Sequence, residues 1–116
     1  MKKILSTGTG FALVVLLAGC EVPPPENEMQ RRARMAAAAE ITARQCAGYA
    51  GGYSAARDLR RDANRHVTLA RQLGATDADM ADGSKVAQMA FDNAVIWLGQ
   101  QEACNQMVSQ LAWNAE

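Results

Sequence analysis

Histidine occurs once in this chain of 116 residues, at His66, and proline occurs only at Pro23, Pro24 and Pro25. Aromatic residues make up 5% of the sequence, so beyond Phe11 a core has only Tyr49, Tyr53, Phe91, Trp97 and Trp113 as large ring side chains. It must be built mainly from Ala, Val, Leu and Met and is thin. Neither sign of charge dominates, with 12 Lys and Arg against 12 Asp and Glu. A nucleic-acid partner, which calls for a basic surplus, is therefore excluded. The absence of proline after Pro25 removes the strongest helix breaker from the rest of the chain and favours long helices.

What is present begins with a tripartite N-terminus. Lys2 and Lys3 supply positive charge, Phe11 to Leu17 is uninterrupted apolar chain, and Ala18-Gly19 are small residues ahead of Cys20. This is the plan of a secretory signal. A transmembrane helix fits less well, because Ile4 to Gly19 is shorter than the roughly 20 apolar residues a span needs and Ser6-Thr7-Gly8-Thr9-Gly10 interrupts it. Leu17-Ala18-Gly19-Cys20 resembles the lipobox of bacterial lipoproteins. That resemblance implies removal of residues 1–19 and acylation of the Cys20 thiol, with palmitate among the expected chains and a membrane as the first partner. Two or more acyl chains hold a protein stably where one does not. Glu21, in place of the Asp that retains some lipoproteins in the inner membrane, points to the outer membrane, with the chain facing the periplasm.

Loss of 19 residues from 116 leaves 97, enough for one small domain. It also removes Lys2 and Lys3, so the remainder carries a net charge near −2. Residues 20–27, with three consecutive prolines, read as a lipidated end followed by a polyproline II tether of about 3.1 Å per residue. Its expected task is to stand the domain of residues 28–116 off the lipid.

That domain is expected to be all-α: a long antiparallel helical hairpin, or a three-helix bundle. Small or apolar residues recur three and four apart from Met35 through Cys46, Tyr53 and Ala63 to Ala70, which is helical spacing. Gly48, Gly51 and Gly52 have two readings. They break the helix, with Ser54 capping its successor, or Gly48, Gly52 and Ala56 form a small-residue groove for a close helix crossing. The i, i+4 spacing favours the groove. Gly74 suits a helix C-terminus, and Thr76-Asp77-Ala78-Asp79 resembles a capping box opening the next helix. Gly83-Ser84 is a second point of restart. Beyond it Ala90, Ala94, Trp97, Cys104, Val108 and Leu111 share one stripe and Phe91, Val95 and Leu98 a second. That face is wider than one partner helix covers, so three helices or a second copy must complete it.

If Cys20 carries lipid, Cys46 and Cys104 remain as an even pair in an oxidising compartment, where disulfides persist. Their midpoint is position 75, inside the turn read independently from Gly74 and Thr76. In an antiparallel hairpin such residues face each other, which also sets Tyr53 opposite Trp97. A disulfide between Cys46 and Cys104 is the expected staple.

No catalytic constellation accompanies this framework. His66 has neither a second His nor a free Cys to complete a zinc site, and no spacing gives it a nucleophile and an orienting carboxylate. It reads as a surface or half-buried residue. Asp77, Asp79 and Asp82 fail as a calcium loop, since Ala81, Asp82 and Gln88 stand where a ligand, a Gly and a Glu are needed. They suit a first helical turn instead. No metal and no cofactor is expected. Arg57, Arg61 and Arg65, with Arg60 alongside, form a basic stripe that could meet lipid A phosphates, anionic headgroups or peptidoglycan carboxylates. Asp58 and Asp62, three residues before Arg61 and Arg65, make a solvated, self-paired face the plainer reading.

Cys46-Ala47-Gly48-Tyr49-Ala50-Gly51-Gly52 resembles the Cys-x-Gly-Tyr-x-x-Gly helical segment of small periplasmic immunity proteins that neutralise type VI secretion amidase toxins. The two distant cysteines, with Trp97 upstream of the second, are similar to those of small helical lysozyme-inhibitor lipoproteins. Both resemblances imply protein binding. Two functions follow as expectations. One is a non-enzymatic structural or interaction lipoprotein that meets an envelope protein, or itself, through the face around Phe91, Val95 and Leu98. The other is an inhibitor or immunity protein of a cell-wall hydrolase, inserting the segment from Thr76 to Ser84 into a cleft.

Overall fold

The computed structural model describes residues 22–113, and these form five helices and no strand. In chain order they are α1 (Glu28–Gln45), α2 (Ala47–Ala50), α3 (Tyr53–Gln72), α4 (Asp77–Leu98) and α5 (Gln100–Trp113). The all-α expectation holds. The leader, the lipobox and Cys20 lie outside the described residues.

Helix α1 opens where the composition changes. The Asn27 side chain accepts from the Gln30 amide at 2.9 Å, which satisfies one of the donors a first turn leaves unpaired. Glu28 in that turn accepts from Arg31 (2.9 and 2.6 Å) and from Arg32 (2.9 Å). Alanine then dominates. Ala33, Ala36, Ala37, Ala39, Ile41, Thr42 and Ala43 are all buried, which is more than one helical face. A helix sheathed mostly in methyl groups can be approached closely from several sides at once, and α1 is the central strut of the fold.

The other helices are laid against it. Helix α3 runs back along α1, α4 runs forward again and α5 returns. At one end Ala33 meets Ala70 and Ala75. Further along, Ala39 meets Ala63 and Leu111. At the other end Ile41 packs with Phe91, and Cys46 is joined to Cys104. The Cα atoms of the bonded pair are 5.4 Å apart. Of the two expected architectures the multi-helix bundle is the one adopted, because α1 lies between the arms of the hairpin. Helices α3 and α4 barely touch beyond their shared turn. Tyr53 and Trp97 therefore do not pack on each other across a closed hairpin, and they stand 81% and 76% exposed.

The turn at the midpoint is as its residues dictate. Gly74 takes φ +98°, its amide donates to the Arg71 carbonyl, and that of Ala75 reaches back to Ala70, each at 3.0 Å. This is a Schellman ending. Thr76 Oγ1 accepts from the Asp79 amide at 3.1 Å, while Asp79 accepts from the Thr76 amide at 2.8 Å. The capping box forms with Asp in the reciprocal position.

The glycines sort differently from expectation. Gly51 and Gly52 have φ of +111° and +80°, a region that residues with a Cβ rarely occupy, and they break the chain between α2 and α3. Gly52 itself precedes the first residue of α3, so Ser54 is not the cap. A Cβ on Gly48 or Gly52 would meet nothing within 4 Å, so no helix crosses there. The close crossing is at Gly83, where a Cβ would lie 2.9 Å from the Ala33 carbonyl carbon. Gly83 does not restart α4; it lets α4 rest on α1. The chain is broken again at Gly99, with φ +86°.

Candidate functional site

The end of the bundle where Cys46 and Cys104 are joined gathers three junctions of the chain. There α1 gives way to α2 at Cys46, α2 to α3 at Gly51-Gly52, and α4 to α5 at Gly99. The disulfide fixes the first against α5, and the Gln100 side-chain amide donates to the Gln45 carbonyl at 3.1 Å. Residues ordered in this way cost a partner little further entropy on binding. Tyr49 and Tyr53 flank the Gly51-Gly52 turn, and both are exposed, as is Leu98 on the neighbouring junction. Tyrosine offers a large, rigid and amphipathic contact surface. Nothing in the spacing of Tyr49 and Tyr53, three and seven residues after Cys46, distinguishes them from core positions. They stand outward on either side of two glycines of positive φ.

The face expected to bind a partner is largely spent inside. Phe91 is 1% exposed and Val95 packs against the same cluster, with Ala37, Ile41 and Ala87 around Phe91. Leu98 alone of that trio remains exposed. The stripe of Ala90, Ala94 and Trp97 likewise separates, since Ala94 packs on the core while Ala90 and Trp97 face outward. The helix α4 does carry an unexpected apolar row on its opposite side. Val86, Met89 and Ile96 there form one wall of a groove of about 420 Å³, interrupted by the polar Asn93 and Asp92. The other wall is the tether, through Val22 and Pro23. Arg34 of α1 donates to the Pro23 carbonyl at 2.5 Å and so pins the tether to the domain. A tether held along the bundle does not act as a spacer over these residues.

The segment from Thr76 to Ser84 is a capped turn and the first two turns of α4, not a projecting loop. Asp77 is committed to Arg71 at 2.6 Å. Asp79 is held below the usual carboxylate range by its hydrogen bonds from the Thr76 backbone and side chain. These contacts account for Asp77 and Asp79, while Asp82 lies exposed on the second turn.

Arg57, Arg60, Arg61 and Arg65 all lie exposed along α3. Asp58 stands 3.9 Å from Arg57 and 3.8 Å from Arg61, and Asp62 stands 3.9 Å from Arg65. Such loose, exposed pairs contribute little to stability, and their arrangement is that of the self-paired face.

His66 departs from expectation most clearly. It is 1% exposed, facing α1, where the Arg32 guanidinium sits 3.1 Å from Nδ1. Arginine has only donors, so Nδ1 must be the acceptor and the ring is neutral with its proton on Nε2. Burial pushes the His66 pKa down, and the charges of Arg65 and Arg32 push it further. Glu28 completes the chain from carboxylate to guanidinium to imidazole. Its own pKa is lowered to about 2, chiefly by the hydrogen bond from Arg31. The arrangement is structural in chemistry: a buried neutral acceptor that a cation satisfies.

Among the described residues no group of His, Cys, Asp and Glu could hold a metal ion, and no helix is long and apolar enough to cross a membrane. Comparison of the chain with protein families, with curated proteins and with solved structures finds no match.

Proposed function

We propose that this chain is a lipid-anchored protein of the bacterial envelope, in the outer membrane and facing the periplasm, whose task is to bind another protein and not to catalyse a reaction. The anchor rests on the apolar run and small pair before Cys20, together with the Cys46–Cys104 bond, which takes up the other two cysteines and leaves Cys20 for lipid. The observation that carries the binding role is the rigid end of the bundle, where a disulfide holds Tyr49 and Tyr53 outward on either side of a glycine turn. The non-catalytic reading draws support from the single histidine, His66, being enclosed against Arg32.

A photoreactive residue at position 53 in intact envelopes provides the test. The expected product is a discrete adduct with another envelope protein that disappears when Tyr49 is changed to Ala. Adducts with lipid alone would end this proposal.

The inhibitor alternative keeps one specific support. The seven residues that resemble the amidase-immunity segment are the ones that form the cystine junction, α2 and the glycine turn. Inhibition of peptidoglycan digestion by purified protein, lost on Tyr53→Ala, separates this from scaffolding. A toxin or amidase gene beside this one is the genomic counterpart of the same test.

A further inference from the structure

We propose that the outer face of α4 lies on the bilayer surface beside the anchor, in contact with zwitterionic lipid, so that the domain rests on the membrane on a fixed side. The proposal builds on the lipid-anchored reading of Cys20 and adds an orientation to it.

Three observations converge. First, α4 presents apolar side chains away from the core at Val86, Met89, Ile96 and Trp97, of which Ile96 is 77% exposed. They occupy adjoining lines of one helix, on the side turned from Gly83, Ala87 and Phe91, which are buried. Second, the tether runs along this row. Val22 and Pro23 share a groove with Val86, Met89 and Ile96, and Arg34 holds the Pro23 carbonyl. Third, Cys20 is two residues from Val22, so the backbone between them spans at most about 7 Å. An acyl chain attached at Cys20 is therefore tied within that reach of Val22, which shares its groove with Met89 and Ile96.

Charge selects the kind of lipid. Asp77 is paired with Arg71 and Asp79 is taken up by the Thr76 cap, and the rest of α4 carries Asp82 and Asp92 against Lys85, so the face offers an anionic surface no net positive charge to bind. Trp97, at the end of the row, sits where an amphipathic ring favours the interface.

Trp97 is also the reporter, because Trp113 is the only other tryptophan. The full acylated protein bearing Trp113→Phe is purified from envelopes in detergent and reconstituted into phosphatidylcholine vesicles with or without bromine on the acyl chains. Labelled palmitate scores the anchor separately. The expected result is palmitate uptake, with Trp97 emission in brominated vesicles reduced to half or less of that in unbrominated ones. Met89→Asp combined with Ile96→Asp, both at exposed positions that leave the core intact, is expected to abolish most of the quenching while palmitate uptake persists. Arg34→Ala is expected to weaken it.

A protein that takes up palmitate but whose Trp97 is not quenched overturns the orientation and leaves the anchor standing. A protein that takes up none overturns the anchor, and the orientation with it. Trp97 shielded from both bromine and aqueous acrylamide marks a second copy or another protein over the face and also overturns the proposal. So does quenching that is unchanged in the Met89→Asp, Ile96→Asp variant.

Discussion

Gly83 and Ala33 mark the point where α4 comes closest to α1: a Cβ added to Gly83 would lie 2.9 Å from the Ala33 carbonyl carbon and 3.0 Å from its Cβ. Both neighbours are on the central helix, and neither can rotate away. Replacing a glycine by alanine inside a helix ordinarily stabilises by about 1 kcal/mol. Here the steric cost of about 1–3 kcal/mol for overpacking a tight contact opposes that gain and exceeds it. Gly83→Ala is expected to lower the urea midpoint. Gly48→Ala, where a Cβ meets nothing within 4 Å, is expected to raise it slightly. A stabilised Gly83→Ala would mean that the two helices are further apart than described.

The Cys46–Cys104 bond closes a separation of 58 residues. On the chain-entropy account, a loop of that size corresponds to about 4 kcal/mol, a large fraction of the stability of a domain this small. The double variant Cys46→Ser, Cys104→Ser is expected to lose about 2–5 kcal/mol in equilibrium denaturation. Because the bond orders the end carrying Tyr49 and Tyr53, amide exchange should quicken there ahead of the Gly74 turn. Two titratable thiols in denatured, unreduced protein from envelopes would remove the basis of the expectation.

How much of this was open to inspection in the sequence depends on whether the signal is local. Gly74 and Thr76 to Asp79 act on their own backbone, and they form the turn and cap that their types and spacing imply. The pairing of Cys46 with Cys104 followed from parity and from that turn. What escaped depends on the opposite surface. Gly51 and Gly83 are chemically the same residue, yet one reverses the chain and the other receives a neighbouring helix, and only the presence of Ala33 decides between them. The central place of α1 was hidden because alanine is a weak hydrophobic signal, and burial around most of a helix erases the one-sided pattern. The pinning of Pro23 by Arg34 left no trace at all in spacing.

His66 gives the domain a pH dependence of known sign. Its folded pKa is depressed, by burial first and then by Arg65 and Arg32, with Asp62 opposing and Arg31 adding a smaller push. The unfolded chain therefore takes up a proton near pH 6.5 when the folded one does not. Stability from this residue is complete above that pH and falls as the solution is acidified below it. Glu28, lowered to about 2, adds its own loss only as pH drops below the usual carboxylate value of 4.5 and on toward 2. No other histidine exists to share the upper window. His66→Asn keeps a neutral acceptor toward Arg32, and it is expected to flatten the stability profile just below about pH 6.5, at the cost of some packing. Denaturation series at several pH values check this; an unchanged slope in the variant would show that the imidazole is not the source.

Phe91 and Trp97 test the assignment of the two sides of α4 against each other. They stand six positions apart on one helix, and sequence reasoning placed both on a single broad apolar face. In the structure Phe91 is 1% exposed among Ala37, Ile41 and Ala87, while Trp97 is 76% exposed. Truncating a buried phenylalanine removes its transfer energy and leaves a cavity, for a total of about 3–5 kcal/mol. Truncating an exposed tryptophan removes little that folding had gained, and surface changes of that kind stay within about 0.5 kcal/mol. Phe91→Ala is thus expected to unfold much or all of the domain, and Trp97→Ala to leave the denaturation midpoint nearly unmoved. Equal losses at the two positions would mean that Trp97 is covered in solution by a second copy, and a midpoint that falls with dilution in the parent protein but not in Trp97→Ala would identify it.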